Sequence, residues 1–419
     1  MRGMGLDARA TAKRRLGMIT LTDKRDCVGC GACAAVCPAH CIGMEHDEIG
    51  FLYQVTDAAA CINCRLCERT CPVIRQKGEG EPELGGDSRA IVLKCRDEGL
   101  LGQCGSGGAF TLLARAVVRR GGVVFGAAYR PDWTVEHIAV EREEDLPRIS
   151  GTKYLQSEMC GCLEYARECL KSGREVLFAG TGCQVAGFKA AMRKPYGNLL
   201  TVNIACFGAP SPAVWKDYLA RLGRRHGLGR VLGVNFRKKE EGTDMVMEVR
   251  GSGGTYSHYV YGDPYGWALC EGVANRPSCI KCLFKTAASG SDISVGDAHQ
   301  AKEFDPAMEP RKGLSLAIAH TPAGIEALYA LEADCSIFRP MPLPGIMQGN
   351  KGFAGFTYPH PELQDCFTRM WRRFGDSRRV LAGMQLRGKG TRRFLAWLFR
   401  DFAAEAKRRL ARVFRRSAS

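Results

Sequence analysis

The stretch that decides the fold is Cys27-Val-Gly-Cys30-Gly-Ala-Cys33-Ala-Ala-Val-Cys37-Pro38, followed by a second copy, Cys61-Ile-Asn-Cys64-Arg-Leu-Cys67-Glu-Arg-Thr-Cys71-Pro72. Each copy has three closely spaced cysteines, a fourth cysteine four residues later and a closing proline. Three such thiolates can bind three corners of one four-iron cube, whereas the fourth, on a short helical turn, points to a second cube. The spacing therefore predicts two [4Fe–4S] clusters.

The same spacing is typical of bacterial two-cluster ferredoxins. By this resemblance, one cluster is bound by Cys27, Cys30, Cys33 and Cys71, and the second by Cys61, Cys64, Cys67 and Cys37. A disulfide framework or two zinc sites are the alternatives, but zinc ligands come in two pairs rather than in doubled runs of four. Cys41 lies outside this ligand register, and we interpret it as a small buried thiol.

Composition places the chain among globular proteins of two or three domains. It has 419 residues, of which 45% are apolar and 25% charged. No apolar stretch is long enough to span a membrane, and the basic N-terminus is not followed by the apolar core of a secretory signal. The 21 cysteines therefore predict metal or redox chemistry in a reducing, cytoplasmic compartment.

Positive charge is concentrated at the C-terminus. Residues 370–419 carry 15 Lys and Arg against three acidic residues, so that only +4 of the net +16 belongs to the rest of the chain. A nearly neutral body argues against a nucleic-acid-binding protein. Residues 385–419 have the periodicity of a basic amphipathic helix. Such a helix docks on an anionic membrane surface or an acidic partner, or packs on the body with a solvated cationic face.

The remaining pattern divides the chain into domains. We predict a ferredoxin-like domain over 18–75, a polar Gly-rich linker over 76–88 and a larger domain over 89–345. In the larger domain, apolar strands end in Gly-bearing turns that open helices, which indicates an α/β sheet with a site at the strand ends. Alternation over 231–262 adds antiparallel strands. The predicted fold is a small dicluster ferredoxin-like domain fused to a mixed-sheet α/β domain, with a basic C-terminal helix.

Four further cysteines lie where a site would form. Cys183 and Cys206 follow predicted strands, and Cys279 and Cys282 form a Cys-x-x-Cys pair. Their convergence would complete a third [4Fe–4S] site, but spacing alone leaves structural thiols as an equal alternative. At a helix N-terminus, Cys183 is expected to be held as a thiolate by the helix dipole.

Six motifs then occur in one order along residues 20–350. They are Gly105-Ser-Gly-Gly108, Gly151-Thr-Lys-Tyr-Leu-Gln-Ser157, Val176-Leu-Phe-Ala-Gly-Thr-Gly-Cys-Gln184, Ala205-Cys-Phe-Gly-Ala-Pro-Ser-Pro212, Cys279-Ile-Lys-Cys-Leu-Phe284 and Asp292-Ile-Ser-Val-Gly-Asp297. Together they resemble the coenzyme F-420-reducing hydrogenase/dehydrogenase beta-subunit family, which also includes plant 7-hydroxymethyl chlorophyll a reductase. The resemblance implies a flavoprotein in which FAD lies beside a [4Fe–4S] cluster and exchanges a hydride with an organic molecule, a deazaflavin in the hydrogenase.

Carried over to this sequence, the resemblance implies roles for individual residues. Cys183, Cys206, Cys279 and Cys282 become ligands of a third cluster. The stretch Gly105, Ser106, Gly107 and Gly108 would contact the flavin or its pyrophosphate; the alternative is a tight turn with a helix N-cap at Ser106. Lys153, Tyr154, Gln156 and Ser157 would face the isoalloxazine; the alternative is a solvated polar loop. Lys153 and His299 are the candidates for a catalytic role.

The motifs also depart from the family pattern. Thr181-Gly-Cys-Gln184 replaces Thr-Pro-Cys-Gln, Cys206-Phe-Gly208 replaces Cys-His-Gly, and Ala298-His299-Gln300 follows Asp297 in place of an aromatic residue and Gly. These changes affect the acceptor pocket rather than the cluster ligands. We therefore predict an iron–sulfur oxidoreductase with FAD, a ferredoxin or other redox protein as partner, and an organic hydride acceptor. The alternatives are a non-catalytic electron-transfer subunit and a flavin-free docking body.

Overall fold

The computed structural model describes residues 19, 21, 23–79, 84–240, 243–287, 289–309, 313–347, 350, 352–353 and 362–388. The N-terminal module consists of an antiparallel hairpin and three short helices: β1 (Ile42–His46), β2 (Leu52–Thr56), α1 (Ala32–Ala35), α2 (Leu66–Thr70) and α3 (Pro72–Glu79). Proline at the first position of α3 suits a helix start. This helix continues to Glu79, into the segment predicted as a linker.

A nine-stranded mixed sheet forms the centre of the larger domain. Its strands are β3 (Arg89–Cys95), β4 (Val123–Tyr129), β5 (Val135–Val140), β6 (Ser157–Glu158), β7 (Val176–Thr181), β8 (Leu199–Ile204), β12 (Ile293–Asp297), β13 (Ser315–Ala319) and β14 (Cys335–Met341). Their order is β14-β3-β13-β12-β8-β7-β4-β5-β6. A separate antiparallel sheet contains β9 (Val231–Glu240), β10 (Thr243–Gly251) and β11 (Gly254–Tyr259).

Twelve further α-helices lie among the described residues. They are α4 (Glu98–Gln103), α5 (Ala109–Arg119), α6 (Leu146–Ile149), α7 (Leu163–Lys171), α8 (Gly182–Met192), α9 (Pro212–His226), α10 (Pro264–Cys270), α11 (Ala301–Phe304), α12 (Pro322–Tyr329), α13 (Leu343–Met347), α14 (Glu362–Phe374) and α15 (Ser377–Gly388). No described helix is long and apolar enough to cross a membrane.

The predicted fold class is confirmed, because the sheet is mixed as expected. Strands β4, β7, β8 and β12 are parallel neighbours in turn, whereas β13, β3 and β14 pair antiparallel at one side. The parallel strands β7, β8 and β12 end at one edge of the sheet, which is where open α/β sheets place their ligands.

The two modules share a hydrophobic core. Val28, Cys30 and Cys33 of the ferredoxin-like module pack with Val185 and Phe188 of α8, and all five residues are buried. Helix α1 lies directly on α8. The dicluster module is thus seated on the helix that begins at the carboxyl end of β7. The predicted basic helix over 385–419 lies almost wholly outside the described residues, which end at Gly388.

Candidate functional site

The first cysteine group contains Cys27, Cys30, Cys33 and Cys71. The pKa of the Cys33 thiol is raised to about 12 by burial and by the nearby charges of Cys27 and Cys71, and Cys30 is affected by the same neighbours. Backbone N–H groups point at the sulfurs; Gly29 N lies 3.4 Å from Cys27 Sγ. As thiolates these buried groups would repel one another, and a bound cationic centre would offset that repulsion.

The second group contains the other ligand candidates of the doubled run. Cys37, Cys41, Cys61, Cys64 and Cys67 line one small cavity. Cys37 thus lies with the second run, and Cys71 with the first. Cys41 is buried, as interpreted from the sequence, and its Sγ lies 3.4 Å from Cys37 Sγ. Cys64 is exposed at the surface.

The two cysteine loops have the same backbone conformation although their sequences differ. Gly29 and Gly31 have φ values of +69° and +71°, and the corresponding Asn63 and Arg65 both have +57°. Non-glycine residues rarely adopt this region. A Cβ at Gly31 would overlap the sulfur of Cys160, whereas Arg65 is exposed. The first loop therefore requires glycine for close packing, and the second does not.

The third group forms at the edge of the sheet where β7 and β8 end. Cys183 lies in the first turn of α8, Cys206 follows β8, and Cys279 and Cys282 come from a loop that reaches over both. All four line one cavity of about 220 Å³. The pKa of Cys279 is raised to about 12 by burial and by the charges of Cys282 and Cys206. Gly208 N lies 3.3 Å from Cys206 Sγ.

The position of Cys183 at a helix N-terminus does not lower the pKa of its thiol, contrary to the expectation. The pKa of Cys183 is raised well above its ordinary value, first by burial and then by the charges of Cys282 and Cys206. Desolvation and three thiol neighbours outweigh the dipole, which is worth about 1 kcal/mol. Described His, Cys, Asp and Glu side chains do not converge in threes as the ligands of a single metal ion would; the thiolates of a cube each bind a different iron.

A second cavity, of about 160 Å³, adjoins the first at the same edge of the sheet. The two share walls formed by Phe110, Gly151, Thr152, Tyr154, Ile204, Ala205 and Phe207. We call the two together the cleft. The first cavity ends at the third cysteine group, and the second ends at Gly105, Ser106 and Gly108. The residues for which the resemblance implied flavin contact therefore lie at both ends of the cleft.

At the cysteine end, Lys153, Gln156 and Ser157 line the cavity, and Tyr154 lines both cavities. The Lys153 ammonium donates to the Ser150 carbonyl at 2.8 Å, and no described carboxylate pairs with it. Burial lowers its pKa to about 7. Gln156 is used differently from the expectation, because its amide nitrogen donates to the Val28 carbonyl at 3.1 Å. It therefore holds the ferredoxin-like module as well as lining the cavity.

His137 was not identified from the sequence, yet it lines the same cavity. Its Nε2 lies 3.0 Å from the Ala179 carbonyl, which can only accept, and so Nε2 carries the hydrogen. Its Nδ1 therefore accepts from the Ser157 hydroxyl at 2.6 Å. Burial lowers the pKa of His137 to about 4. This neutral imidazole orients Ser157, and no local sequence pattern distinguishes it from an ordinary strand residue.

At the other end, Gly105, Ser106 and Gly108 line the cavity, but Gly107 does not. A Cβ at Gly107 would overlap the backbone of Leu93, so this glycine serves close packing. The alternative of an N-cap at Ser106 is wrong, because α5 begins after Gly108, which has φ +95° and makes no side-chain cap. Ser106 instead donates to the Leu314 carbonyl at 2.7 Å. The first N–H groups of α5 are left without a side-chain acceptor.

His299 lies at this end and is separated from Lys153. Its Nε2 is 3.8 Å from Asp297 Oδ2, and about half of its side chain is exposed. Arg237, which the sequence analysis missed, donates to Asp297 Oδ2 at 2.6 Å and lines the cavity. The two candidates for a catalytic role are therefore in different cavities of one cleft.

We expect Lys153→Met to stabilise the flavin-free protein below pH 7 by about 2–4 kcal/mol, since each pKa unit is worth about 1.4 kcal/mol. The lysine pKa is about 7 when folded and 10.5 when unfolded. Between these values the unfolded chain binds more protons, so the wild type gains stability as the pH rises. The advantage of methionine should then shrink toward pH 10.5.

Thermal unfolding under anaerobic conditions at about pH 6.5 and about pH 9.5 measures this difference. The exposed Lys216, which pairs with Asp132 at 2.9 Å, provides the control as Lys216→Met. A difference between Lys153→Met and wild type that is equal at both pH values would contradict the assignment.

Comparison with known proteins identifies both parts of the chain. Residues 173–341 match the family model for the C terminus of the coenzyme F420 hydrogenase/dehydrogenase beta subunit. Residues 26–74 match the model of a 4Fe-4S dicluster domain. The resemblance inferred from the six motifs is thereby confirmed, and the chain is an iron–sulfur oxidoreductase related to F420 hydrogenase beta subunits.

The beta-subunit match begins just before β7 and therefore includes all four cysteines of the third group. Among solved structures, a chain of the F420-reducing [NiFe] hydrogenase complex from Methanosarcina barkeri is similar at 19% identity. The similarity covers 70% of this chain and 92% of that chain, with a TM-score of 0.44. No curated protein is significantly similar in sequence.

Proposed function

We propose that the chain is an iron–sulfur flavoprotein oxidoreductase with three [4Fe–4S] clusters and FAD. It takes electrons from a reduced carrier, such as a ferredoxin, and delivers a hydride to an organic acceptor. The two N-terminal clusters are assigned to the first and second cysteine groups. The third is assigned to Cys183, Cys206, Cys279 and Cys282. Thiolate is the ligand that iron–sulfur clusters require, and each group supplies four.

The observation that carries this proposal is the position of α8 between two cysteine groups. Cys183, in its first turn, belongs to the third group. Gly187, one turn later, packs on Cys30 of the first group, so closely that a Cβ there would lie 2.8 Å from Cys30 Sγ. Four helical residues span about 6 Å. The first and third groups are thus adjacent, and the third also lines the cleft.

The residues of the cleft fit a flavin dinucleotide. FAD, when bound, exchanges single electrons with iron–sulfur centres and a hydride with organic molecules. Lys153 supplies a positive charge without a described carboxylate partner beside the third group, suited to the anionic edge of a ring. At the other end, the start of α5 has no side-chain cap and supplies N–H donors suited to a pyrophosphate; Arg237, which pairs with Asp297, lies at the same end.

The hydride acceptor in this proposal is an organic molecule that enters the cleft. Lys153, with a pKa of about 7, can hold or release a proton near neutral pH. His299, half-exposed beside Asp297, is the second candidate for proton transfer. The departures at Cys206-Phe-Gly208 and Ala298-His299-Gln300 lie at this site, since Phe207 lines both cavities and His299 one of them. A deazaflavin is therefore the first acceptor to test rather than an assumed substrate.

A non-catalytic electron-transfer subunit is the alternative to an enzyme, and the space left beside a bound flavin distinguishes the two. An open pocket above the flavin would favour the enzyme, and a filled one the relay; the cavity that would hold the flavin ring, of about 220 Å³, adjoins the third cysteine group. Its lining combines apolar walls with a few convergent polar groups, as ligand sites do.

Anaerobic purification with quantification of iron, sulfide and extracted flavin tests the proposal. We expect about twelve irons and one FAD per chain, since each cube contains about four irons. Reduction of candidate acceptors, deazaflavin first, should then follow from a chemically reduced ferredoxin. About eight irons without flavin would contradict the proposal and leave a two-cluster ferredoxin with a docking domain.

A further inference from the structure

Arg276 is a buried cation between the two modules. Only 1% of the residue is exposed. Its Nε donates to the Cys27 carbonyl at 2.6 Å, Nη2 to the Leu52 carbonyl at 2.7 Å and Nη1 to the Gln156 side chain at 2.9 Å. The guanidinium also lies 4.3 Å from the centre of the Tyr53 ring. Its hydrogen-bonding groups are therefore well satisfied by neutral partners.

Its charge, in contrast, has no carboxylate counterpart in the part of the chain that the structure describes. None of the ion pairs among the described residues includes Arg276. Burial of a charged group costs several kcal/mol, and neutral hydrogen-bond partners compensate only part of that cost. A guanidinium cannot escape the cost by losing its proton. Negative charge close by in the working protein would offset the rest of that cost.

Two cysteine groups lie on either side of Arg276. Cys27, whose carbonyl accepts from Nε, belongs to the first group. Cys279, three residues later in the chain, belongs to the third group; its backbone N–H donates to the Arg276 carbonyl at 2.9 Å, and both residues line the same cavity. A cube bound by four thiolates is an anion, because the thiolate charges exceed that of the iron–sulfide core.

We propose that Arg276 is the shared counterion of the first and third clusters and that its charge makes both easier to reduce. The proposal rests on the function proposed above and deepens it. Reduction adds an electron to a group that is already negative. A fixed positive charge in a low-dielectric surrounding stabilises the reduced form more than the oxidised form. Removal of the charge should therefore shift both potentials to more negative values.

A purely structural role predicts something different. Arg276 joins the modules through three N–H donors, which the planar guanidinium holds in a fixed fork. If its role were purely structural, every substitution that removes this fork would disturb the two clusters equally. Arg276→Lys keeps the charge and loses the fork, whereas Arg276→Gln loses the charge and keeps part of the donor capacity. The two roles are therefore separated by comparing these variants. Arg276 is a positioning residue in this proposal, since its effect on the reaction passes through the clusters.

Redox titration of the anaerobic full-length protein, followed by electron paramagnetic resonance, measures the potentials. We expect Arg276→Gln to shift two of the three cluster potentials to more negative values, and Arg276→Lys to stay near wild type. Arg115→Gln is the control, because only 14% of the Arg115 side chain is exposed and it pairs with Asp334 at 2.9 Å. It should shift none. Unchanged potentials in Arg276→Gln, or equal shifts in both Arg276 variants, would overturn the proposal.

If Arg276→Gln does not retain its iron, Arg276→Lys decides the question. Full iron content with wild-type potentials in the lysine variant would support the counterion role. Iron loss or shifted potentials in the lysine variant would overturn it. Failure of the proposed function is recognised separately, since it would appear as about eight irons in the wild type.

Discussion

Cys206→Ala is expected to remove about four of about twelve irons and to leave the two N-terminal clusters in place. Cys206 lies in the third group, enclosed with Cys183, Cys279 and Cys282, and Gly208 donates to its sulfur. A cube with one of its thiolates missing exposes an iron and is lost on purification. Electrons delivered to the N-terminal clusters should then no longer reach a dye or acceptor at the cleft. Iron and sulfide quantification, with stopped-flow reduction of the dye, measures both effects.

Cys270→Ala is the matched control for this variant. Cys270 ends α10, next to Leu269, which lines the cleft, yet it belongs to none of the three cysteine groups. It should keep about twelve irons and transfer electrons at the wild-type rate. Full iron content in Cys206→Ala, or the same loss in both variants, would remove the third cluster from the assignment.

The clusters of the N-terminal module could be predicted because their ligands are close together along the chain. The third group is harder, since Cys183 and Cys282 are about one hundred residues apart. The rule that parallel strands end at one edge brought Cys183 and Cys206 together, and the Cys-x-x-Cys pair is visible in the sequence. The family resemblance then favoured one cluster bound by all four over structural thiols. Whether these thiols bind a cube stays a prediction, although the structure places all four around one cavity.

Residues whose partners are distant in sequence could not be found in this way. Arg276 donates to a carbonyl 249 residues away, and His137 is defined by Ser157 and Ala179 on other strands. Because serine is a frequent N-cap residue, its local propensity suggested an N-cap at Ser106. Helix α5 instead starts after Gly108, which has a positive φ. In each case tertiary packing, which periodicity does not encode, decided the role of the residue.

Gly187 provides the strongest test that the dicluster module and the cleft work as one unit. In the middle of a helix, Gly→Ala normally adds about 0.5–1 kcal/mol of stability, because alanine loses less backbone entropy. At Gly187 the added Cβ would lie 2.6 Å from Cys30 Cβ and 2.8 Å from its Sγ. Cys30 cannot retreat without moving its loop, which is buried against α8. Overpacking of this kind costs about 1–3 kcal/mol.

We therefore expect Gly187→Ala to lower the unfolding temperature, to lose up to about four irons from the first group and to stop electron transfer to the cleft. Gly223→Ala is the control, because Gly223 lies within α9 and a Cβ there would meet no atom within 4 Å. This variant should be slightly more stable than wild type and keep all its iron. Thermal unfolding, iron content and the rate of dye reduction distinguish the two. Equal stabilisation by both substitutions would mean that the first cluster does not rest on α8, and the path from that cluster to the cleft would then need another explanation.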